Sequence, residues 1–351
     1  MEKNILEKLS LPAKNVERKK PSNFNEDDKY LFEREFTKNL PNVVSISSKR
    51  SFVSPCAKLL NGLIFNSFQF NTDLKFSWLF KLYIKFFFYL IKIRKITRFD
   101  NILFITNSHS SYNFFHWNLD VLQKLEFIDK IRDQILDSNL KIIIPNDHTD
   151  DYFKKTLQAF GINFYYQKKN EIILARNSIL LPDIAPTGNF RKELILKLNT
   201  RMRNHWTNIK TINIDKKRIY ISRKNAQRRR LKNEDEIIPI LKKHGFTIVD
   251  FDILNFEEQL SYILNCEILV GVHGSGLSHM LWMKQKSSIL EIRTRNNRYD
   301  NCFFTLASDL DHNYFYTFAD KIDLKKSNHL SDLTINTEDF SSQLLKMLNK
   351  V

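Results

Sequence analysis

The residues whose types and spacing carry the most chemistry are Gly271-Val272-His273-Gly274-Ser275-Gly276, where three of the chain's seven glycines fall within six positions. Ahead of them, Glu267-Ile268-Leu269-Val270 is a short apolar run that reads as a buried strand. Behind them, Gly276-Leu277-Ser278-His279-Met280-Leu281-Trp282-Met283 reads as the start of a helix. Glycine lets another group approach the backbone closely. A glycine turn feeding a helix N-terminus presents unpaired N–H groups and the positive end of the helix dipole, which suits a phosphate. His273 sits on the turn, where it would donate to a diphosphate oxygen or to a developing charge. An ordinary tight strand-to-helix turn would carry the same string, so other residues must decide.

A second cluster follows the predicted strand Arg218-Ile219-Tyr220-Ile221-Ser222: Arg223, then Arg228, Arg229 and Arg230, then Asn233-Glu234. Guanidinium keeps its charge at any working pH and makes bidentate contacts with phosphate. A solvated basic loop accounts for one or two of these arginines, and Asn233-Glu234 also fits an N-cap followed by a first-turn acid. Glu291, in the predicted strand 288–292, has the chemistry to hold paired ribose hydroxyls. Together these groups sketch a nucleotide-diphosphate site: cations for the phosphates, an acid for the sugar, glycine for close approach. The chain has no G-x-x-x-x-G-K-[S/T] string and no G-x-G-x-x-G fingerprint, which speaks against a P-loop and a nicotinamide cofactor.

The elements that must position these residues alternate with some regularity. Short strands are predicted at 42–47 and 62–65, then strands at 101–106, 140–144, 161–166, 171–174 and 178–181, with helices around 113–135, 149–160 and 190–206. A second series runs strand 218–222, helix 233–244, strand 246–249, helix 256–265, the glycine turn, strand 288–292 and a short helix near 300–309. Such alternation predicts parallel sheets covered by helices. The domain reading is a polar N-terminal arm over 1–40, an N-terminal domain over 41–210, a C-terminal domain over 211–330 and a closing helix within 331–351. The polar stretch 207–217 reads as a linker.

Composition narrows the partners. Of 351 residues, 42% are hydrophobic, enough for sizeable cores, and Lys+Arg exceed Asp+Glu by 55 − 39 = 16. That excess favours polyanions, among them nucleotide phosphates, acidic glycan, nucleic acid and anionic lipid. The three cysteines, Cys56, Cys266 and Cys302, are widely spaced, which argues for a reducing compartment and against a disulfide framework or zinc site. Met1-Glu2-Lys3-Asn4 opens into polar sequence with no apolar core of a secretory signal. In Phe76 to Ile93, Lys81, Lys85 and Lys92 share one helical face. Three charges argue against a membrane-spanning helix, while a basic stripe on a wide apolar face suits a helix lying on an anionic membrane; a core helix with a solvated lysine edge fits equally. His109, His148, His244, His279 and His312 lack metal-ligand spacing, and Asp147 and Asp150-Asp151 sit where a helix start expects acids.

The run YISR…RRRLKNEDEI…GVHGSGLSHMLWM…ILEI resembles the C-terminal half of the family-61 glycosyltransferases, over roughly residues 217–320. These are capsular-polysaccharide-type enzymes related to plant xylosyltransferases and to the extracellular O-GlcNAc transferase. Four separated motifs occur in the family's order; Ser275 stands where the family usually has a small alanine, and the triple arginine is unusual. The resemblance implies an α/β, GT-B-like fold, two Rossmann-like domains facing across a cleft. It also implies inverting transfer from a nucleotide sugar, with the donor mainly in the C-terminal domain and no bound metal. The N-terminal half resembles the family more weakly, through Phe114-Phe115-His116-Trp117-Asn118-Leu119-Asp120. His116 and Asp120, four apart, share a helical face, and an inverting transferase needs a base for the acceptor hydroxyl. Either residue fits that role, and an Asp merely holding a helix-face His fits the spacing too.

The expectation is a cytoplasmic transferase on the inner membrane face, moving a sugar from a nucleotide-sugar substrate to a bacterial surface polysaccharide or lipid-linked glycan, without cofactor or metal. His116 or Asp120 would activate the acceptor. Arg223, Arg229, Arg230, Asn233, Glu234, Gly271, His273, Gly274, Ser275, Gly276 and Glu291 would line the donor site. A non-enzymatic binder of nucleic acid or acidic glycan would explain the charge, but no nucleic-acid motif is present, and the glycine–His turn would have no use. A transferase fold without turnover is the third reading.

Overall fold

A computed structural model describes residues 9–53, 57–60, 63–66, 84, 87, 88, 91–107, 109–131, 133, 139–208 and 217–350. The chain divides into two compact units, Met1–Lys14 with Pro41–Thr187, and Asn15–Leu40 with Gly188–Val351. Two short strand pairs precede the main sheets: β1 (Ser10–Leu11) with β4 (Val43–Val44), and β2 (Lys14–Glu17) with β3 (Thr37–Leu40).

The first unit is built on a seven-stranded mixed sheet. Its strands are β5 (Ile46–Val53), β6 (Ala57–Leu60), β7 (Leu63–Asn66), β8 (Lys95–Phe104), β9 (Leu140–Ile144), β10 (Phe164–Tyr166) and β11 (Glu171–Leu180). They lie in the order β10-β9-β8-β11-β5-β6-β7. The first four are mutually parallel, and β5, β6 and β7 continue antiparallel. In β8 the first half alternates while Ile102, Leu103 and Phe104 are all buried, so its carboxyl end lies inside the unit.

The second unit carries a six-stranded sheet: β12 (Arg218–Ser222), β13 (Thr247–Asp250), β14 (Ile268–Val272), β15 (Ser288–Thr294), β16 (Asn313–Lys321) and β17 (Leu333–Ile335). The order is β13-β12-β14-β15-β16-β17, parallel except for the edge strand β17. Both β14 and β15 are buried at every position, as strands covered on two faces must be. That is why ILVGV and SILEI read as continuous runs rather than alternating ones. One face packs Tyr220, Val270, Leu290 and Phe315 against Ile237, Leu241, Phe340, Leu344 and Met347 of the helices Glu234–Lys243 and Thr337–Leu348.

Three expectations change. Residues 15–40 are no polar arm: the helix Lys29–Phe36 buries Leu31 and Phe32, and Phe32 packs on Phe304, Tyr314 and Tyr316 of the second unit. Arg18, fully buried, pairs with Asp309 at 3.0 Å. The helix Lys192–Asn208 belongs to the second unit, where Asn199 donates to the Leu281 and Met283 carbonyls, so the boundary falls at 187/188 rather than at 210. The closing helix is part of the same core, not a separate piece. Most of Phe76–Ile93 and of the 207–217 linker lies outside the described residues. Among the described residues no helix is long and apolar enough to cross a membrane.

Candidate active site

Numbering the second unit's parallel strands in chain order gives 2-1-3-4-5, so the chain leaves β12 toward β13 on one side and returns as β14 on the other. Ligands of open parallel sheets bind outside the carboxyl ends of the strands at such a reversal. Ile221 pairs with Gly271 there, so Ser222-Arg223 and Val272-His273 emerge side by side. The glycine turn and the first arginine, 50 residues apart in sequence, are thus brought together.

His273 is held from below. Its Nδ1 donates to Glu291 Oε1 at 2.5 Å, and Tyr314 Oη donates to Glu291 Oε2 at 2.5 Å. A carboxylate on Nδ1 places the proton there and leaves Nε2 outward, the tautomer following from the hydrogen-bond network. Among the described residues Nε2 has no hydrogen-bond partner. Burial pushes the Glu291 carboxyl up, but His273, Arg293 and Tyr314 outweigh it and hold it below the ordinary carboxylate range. Glu291 is fully buried with both oxygens committed. It therefore cannot hold ribose hydroxyls; its role is to orient His273.

Arg223 lies across Gly274: a Cβ built there would stand 2.6 Å from an Arg223 guanidinium nitrogen. The glycine is needed for this close approach rather than for a left-handed backbone, since its φ of 170° is extended. Arg223 donates from Nε to the Arg229 carbonyl at 3.2 Å and from Nη2 to the Arg228 carbonyl at 2.8 Å. Arg229 takes a left-handed φ of 55° to close this loop. Its Nε is buried without a hydrogen-bond partner. Burial, then the charges of Arg223 and Arg228, pull its pKa down to about 10, so it stays protonated at neutral pH. Among the described residues neither Arg223 nor Arg229 has a carboxylate within ion-pair distance. Two partly buried cations without a counter-charge make this spot receptive to an anion.

The other predicted donor residues do different work. Arg230 forms a two-pronged pair with Asp332, Nη2 to Oδ2 at 2.8 Å and backbone N to Oδ1 at 2.9 Å, a carboxylate it shares with Lys232 at 3.3 Å. Asn233 clips the edge strand, donating to the Ile335 carbonyl at 2.8 Å and accepting from the Ile335 N–H at 3.0 Å. Glu234 is buried and accepts from Tyr220 Oη (2.7 Å), Ser222 Oγ (2.9 Å) and the Arg223 N–H (3.2 Å), fixing the strand end that carries Arg223. Gly271 and Gly276 are packing glycines: added Cβ atoms would meet Leu277 at 3.2 Å and Ile221 at 3.3 Å. Ser275 is exposed and opens the expected helix, which is a 3₁₀ helix over Ser275–Trp282. Of the predicted set, Arg223, Arg229, His273, Gly274 and Ser275 converge at the strand ends.

In the first unit, His116 and Asp120 do meet. A π-helical turn, His116–Val121, leads into the helix Leu122–Ile128, and His116 Nδ1 hydrogen-bonds Asp120 Oδ2 at 2.7 Å. Such turns recur at functional sites. Asp120 is buried and His116 half-buried, its side chain 16% exposed against 3% for Asp120. Burial lifts the Asp120 carboxyl above its ordinary value against the pull of His116. Nearby, Lys124 continues the same helix face and pairs with Asp183 at 2.6 Å, while the His109 ring lies 4.9 Å from that of His116. Lys124, Asp183 and Tyr314 were not picked out from sequence, and His109 was read there only as a scattered histidine. The i, i+4, i+8 spacing of His116, Asp120 and Lys124 was a readable signal for one of them.

Among the described residues no group of three or more His, Cys, Asp or Glu side chains is placed to hold a metal ion. The model of the family described as Glycosyltransferase 61 matches residues 114–290. The chain is also similar to EGF domain-specific O-linked N-acetylglucosamine transferases. Identity to the protein of Drosophila melanogaster is 36% over 91 residues, covering 25% of this chain and 17% of that protein. For Mus musculus it is 30% over 97 residues, covering 26% and 18%. The chain therefore aligns with less than a fifth of the length of these relatives.

Proposed function

The chain belongs to glycosyltransferase family 61, and from that premise we propose that it transfers a sugar from a nucleotide-sugar donor to a glycan acceptor, with inversion and without a metal ion. In the step, the acceptor hydroxyl oxygen attacks the anomeric carbon and its proton passes to His116 Nε2. The bond from that carbon to the diphosphate oxygen breaks, and its electron pair leaves on the diphosphate. Asp120, buried on Nδ1, orients His116 and stabilises the imidazolium that forms. Arg223, Arg229 and His273 meet the developing charge, the work a metal ion does in other sites. A GT-B architecture belongs to the same proposal.

The observation that carries this reading is the pair of arginines at a strand-order reversal, without an ion-pair partner among the described residues and beside a histidine locked by a buried glutamate. The relatives' name makes N-acetylglucosamine the first donor sugar to try. A growing surface polysaccharide or lipid-linked glycan is the proposed acceptor class, and the Lys81, Lys85 and Lys92 stripe would hold the enzyme at a cytoplasmic membrane face. A thermal-shift panel of UDP, GDP, CMP and TDP in the presence of chelator tests the donor site. One nucleotide should stabilise the protein, and His273→Ala and Arg223→Ala should each abolish that shift. Salt-sensitive binding of DNA with no nucleotide response would overturn the reading in favour of a polyanion binder.

A further inference from the structure

The first unit has its own strand-order reversal, and what gathers there extends beyond the His116–Asp120 pair. Its parallel strands run 3-2-1-4, so the reversal falls between β8 and β11, where Phe104 pairs with Leu180. The chain leaves β8 through Thr106-Asn107 and β11 through Pro182-Asp183. Asp183 Oδ1 accepts from Lys124 Nζ at 2.6 Å and from Asn107 Nδ2 at 3.4 Å, and Asn107 Nδ2 also reaches Asp120 Oδ2 at 3.5 Å. The network is thus continuous from His116 to Lys124. Two oxygens and one nitrogen in it remain uncommitted among the described residues: Asp183 Oδ2, His116 Nε2 and the buried Thr106 Oγ1. Asp183 is the open carboxylate of the pair, its side chain 36% exposed. Burial would raise its pKa, but Lys124, Asn107 and His116 together outweigh that and hold it below the ordinary carboxylate range. At the edge stands Tyr112, 68% exposed, its ring against His109, which in turn lies against His116.

We infer that this cluster is a saccharide-binding subsite, in which Asp183 accepts a hydrogen bond from one ring hydroxyl while a neighbouring hydroxyl addresses His116 Nε2 and Tyr112 covers an apolar C–H face of the ring. A lone serine or threonine hydroxyl would engage His116 and leave the Asp183 oxygen and the tyrosine face unused. The acceptor class that fits is therefore a sugar with adjacent hydroxyls, not a protein side chain. The inference rests on the transferase reading and names the substrate class of its acceptor half.

Saturation-transfer NMR on the full chain, with a panel of methyl glycosides (gluco, galacto, manno and their N-acetyl forms) and a threonine-containing peptide, tests it. At least one methyl glycoside should bind, and Asp183→Asn should weaken it roughly tenfold or more, the loss expected for one charge-assisted hydrogen bond. Asparagine can still accept from Lys124, which protects the fold. The exposed Tyr112→Ala provides a second variant that leaves buried pairs intact and should also weaken the glycoside. The nucleotide-induced thermal shift should be unchanged in both, which separates this subsite from the donor site. Glycoside binding unmoved in either folded variant, binding of the peptide in place of any glycoside, or no glycoside binding in a protein that still responds to nucleotide would each overturn the saccharide subsite. Loss of the nucleotide response in the unmodified chain would instead strike the transferase reading itself.

Discussion

At the scale of single residues, the account turns on which charged groups are spent and which are free. Arg230 and Arg229 are neighbours in sequence, yet one is paired with Asp332 and the other is held partly buried with no ion-pair partner among the described residues. Gly274 is the sharpest test of this arrangement. An added methyl at 2.6 Å from the Arg223 guanidinium must push that side chain aside. Gly274→Ala should cost nucleotide affinity at least tenfold while changing stability by no more than about 1 kcal/mol, because the neighbour that moves is the end of a flexible side chain. Titration calorimetry and chemical unfolding on the same variant separate the two effects. The sequence exposed the residue types well, since glycines flanking a histidine and clustered arginines stand out locally. It misassigned Glu291. A carboxylate in a strand looks equally suited to ribose and to a buried histidine, and only the packing that places Tyr314 over it decides.

At the scale of elements, β12 to β15 of the second unit were legible because continuous apolar runs between polar loops mark buried parallel strands. β16 and β17 were not read, although NYFYTF is rich in strand formers. What the sequence could not supply was the tie between elements. The sequence places Glu234 in the donor site, with a first-turn acid for its own helix as the alternative; its carboxylate instead binds the end of β12 through Tyr220, Ser222 and the Arg223 N–H. Glu234→Ala leaves those donors buried and unmatched, which should destabilise the protein by at least about 2 kcal/mol. It should also weaken nucleotide binding, because Arg223 loses its anchor. A variant that destabilised without touching nucleotide affinity would detach the strand end from the site.

At the scale of the whole molecule, two sheets each gather reactive side chains at a strand-order reversal among their parallel strands, and this common logic is why fold and site can be argued together. The alternation of strand and helix carried the fold class. The membership of residues 15–40 in the second unit was hidden, because Arg18 and Asp309 are 291 positions apart and Phe32 finds its partners only in the folded chain. Stability should also depend on pH through His312, buried with Nε2 donating to the Met280 carbonyl and Nδ1 without a partner among the described residues. Burial lowers its pKa to about 4. Between the ordinary histidine value and that one the unfolded chain binds the extra proton, so stability is full above about pH 6.5 and falls as pH drops toward 4. The contribution between pH 7 and pH 5 is about 2 kcal/mol. His312→Gln, which keeps the donor to Met280, should shrink the measured drop by roughly that amount.

The most direct test compares a nucleoside diphosphate, its monophosphate and the bare nucleoside by calorimetry, on the native chain and on Arg229→Met. The base is the one chosen by the thermal-shift panel. If the two arginines and His273 hold the leaving diphosphate, the native affinity should climb with each phosphate, and Arg229→Met should weaken the diphosphate tenfold or more while leaving the nucleoside nearly unchanged. Equal affinity for all three ligands, or a variant that binds the diphosphate as tightly as the native chain, would contradict the account.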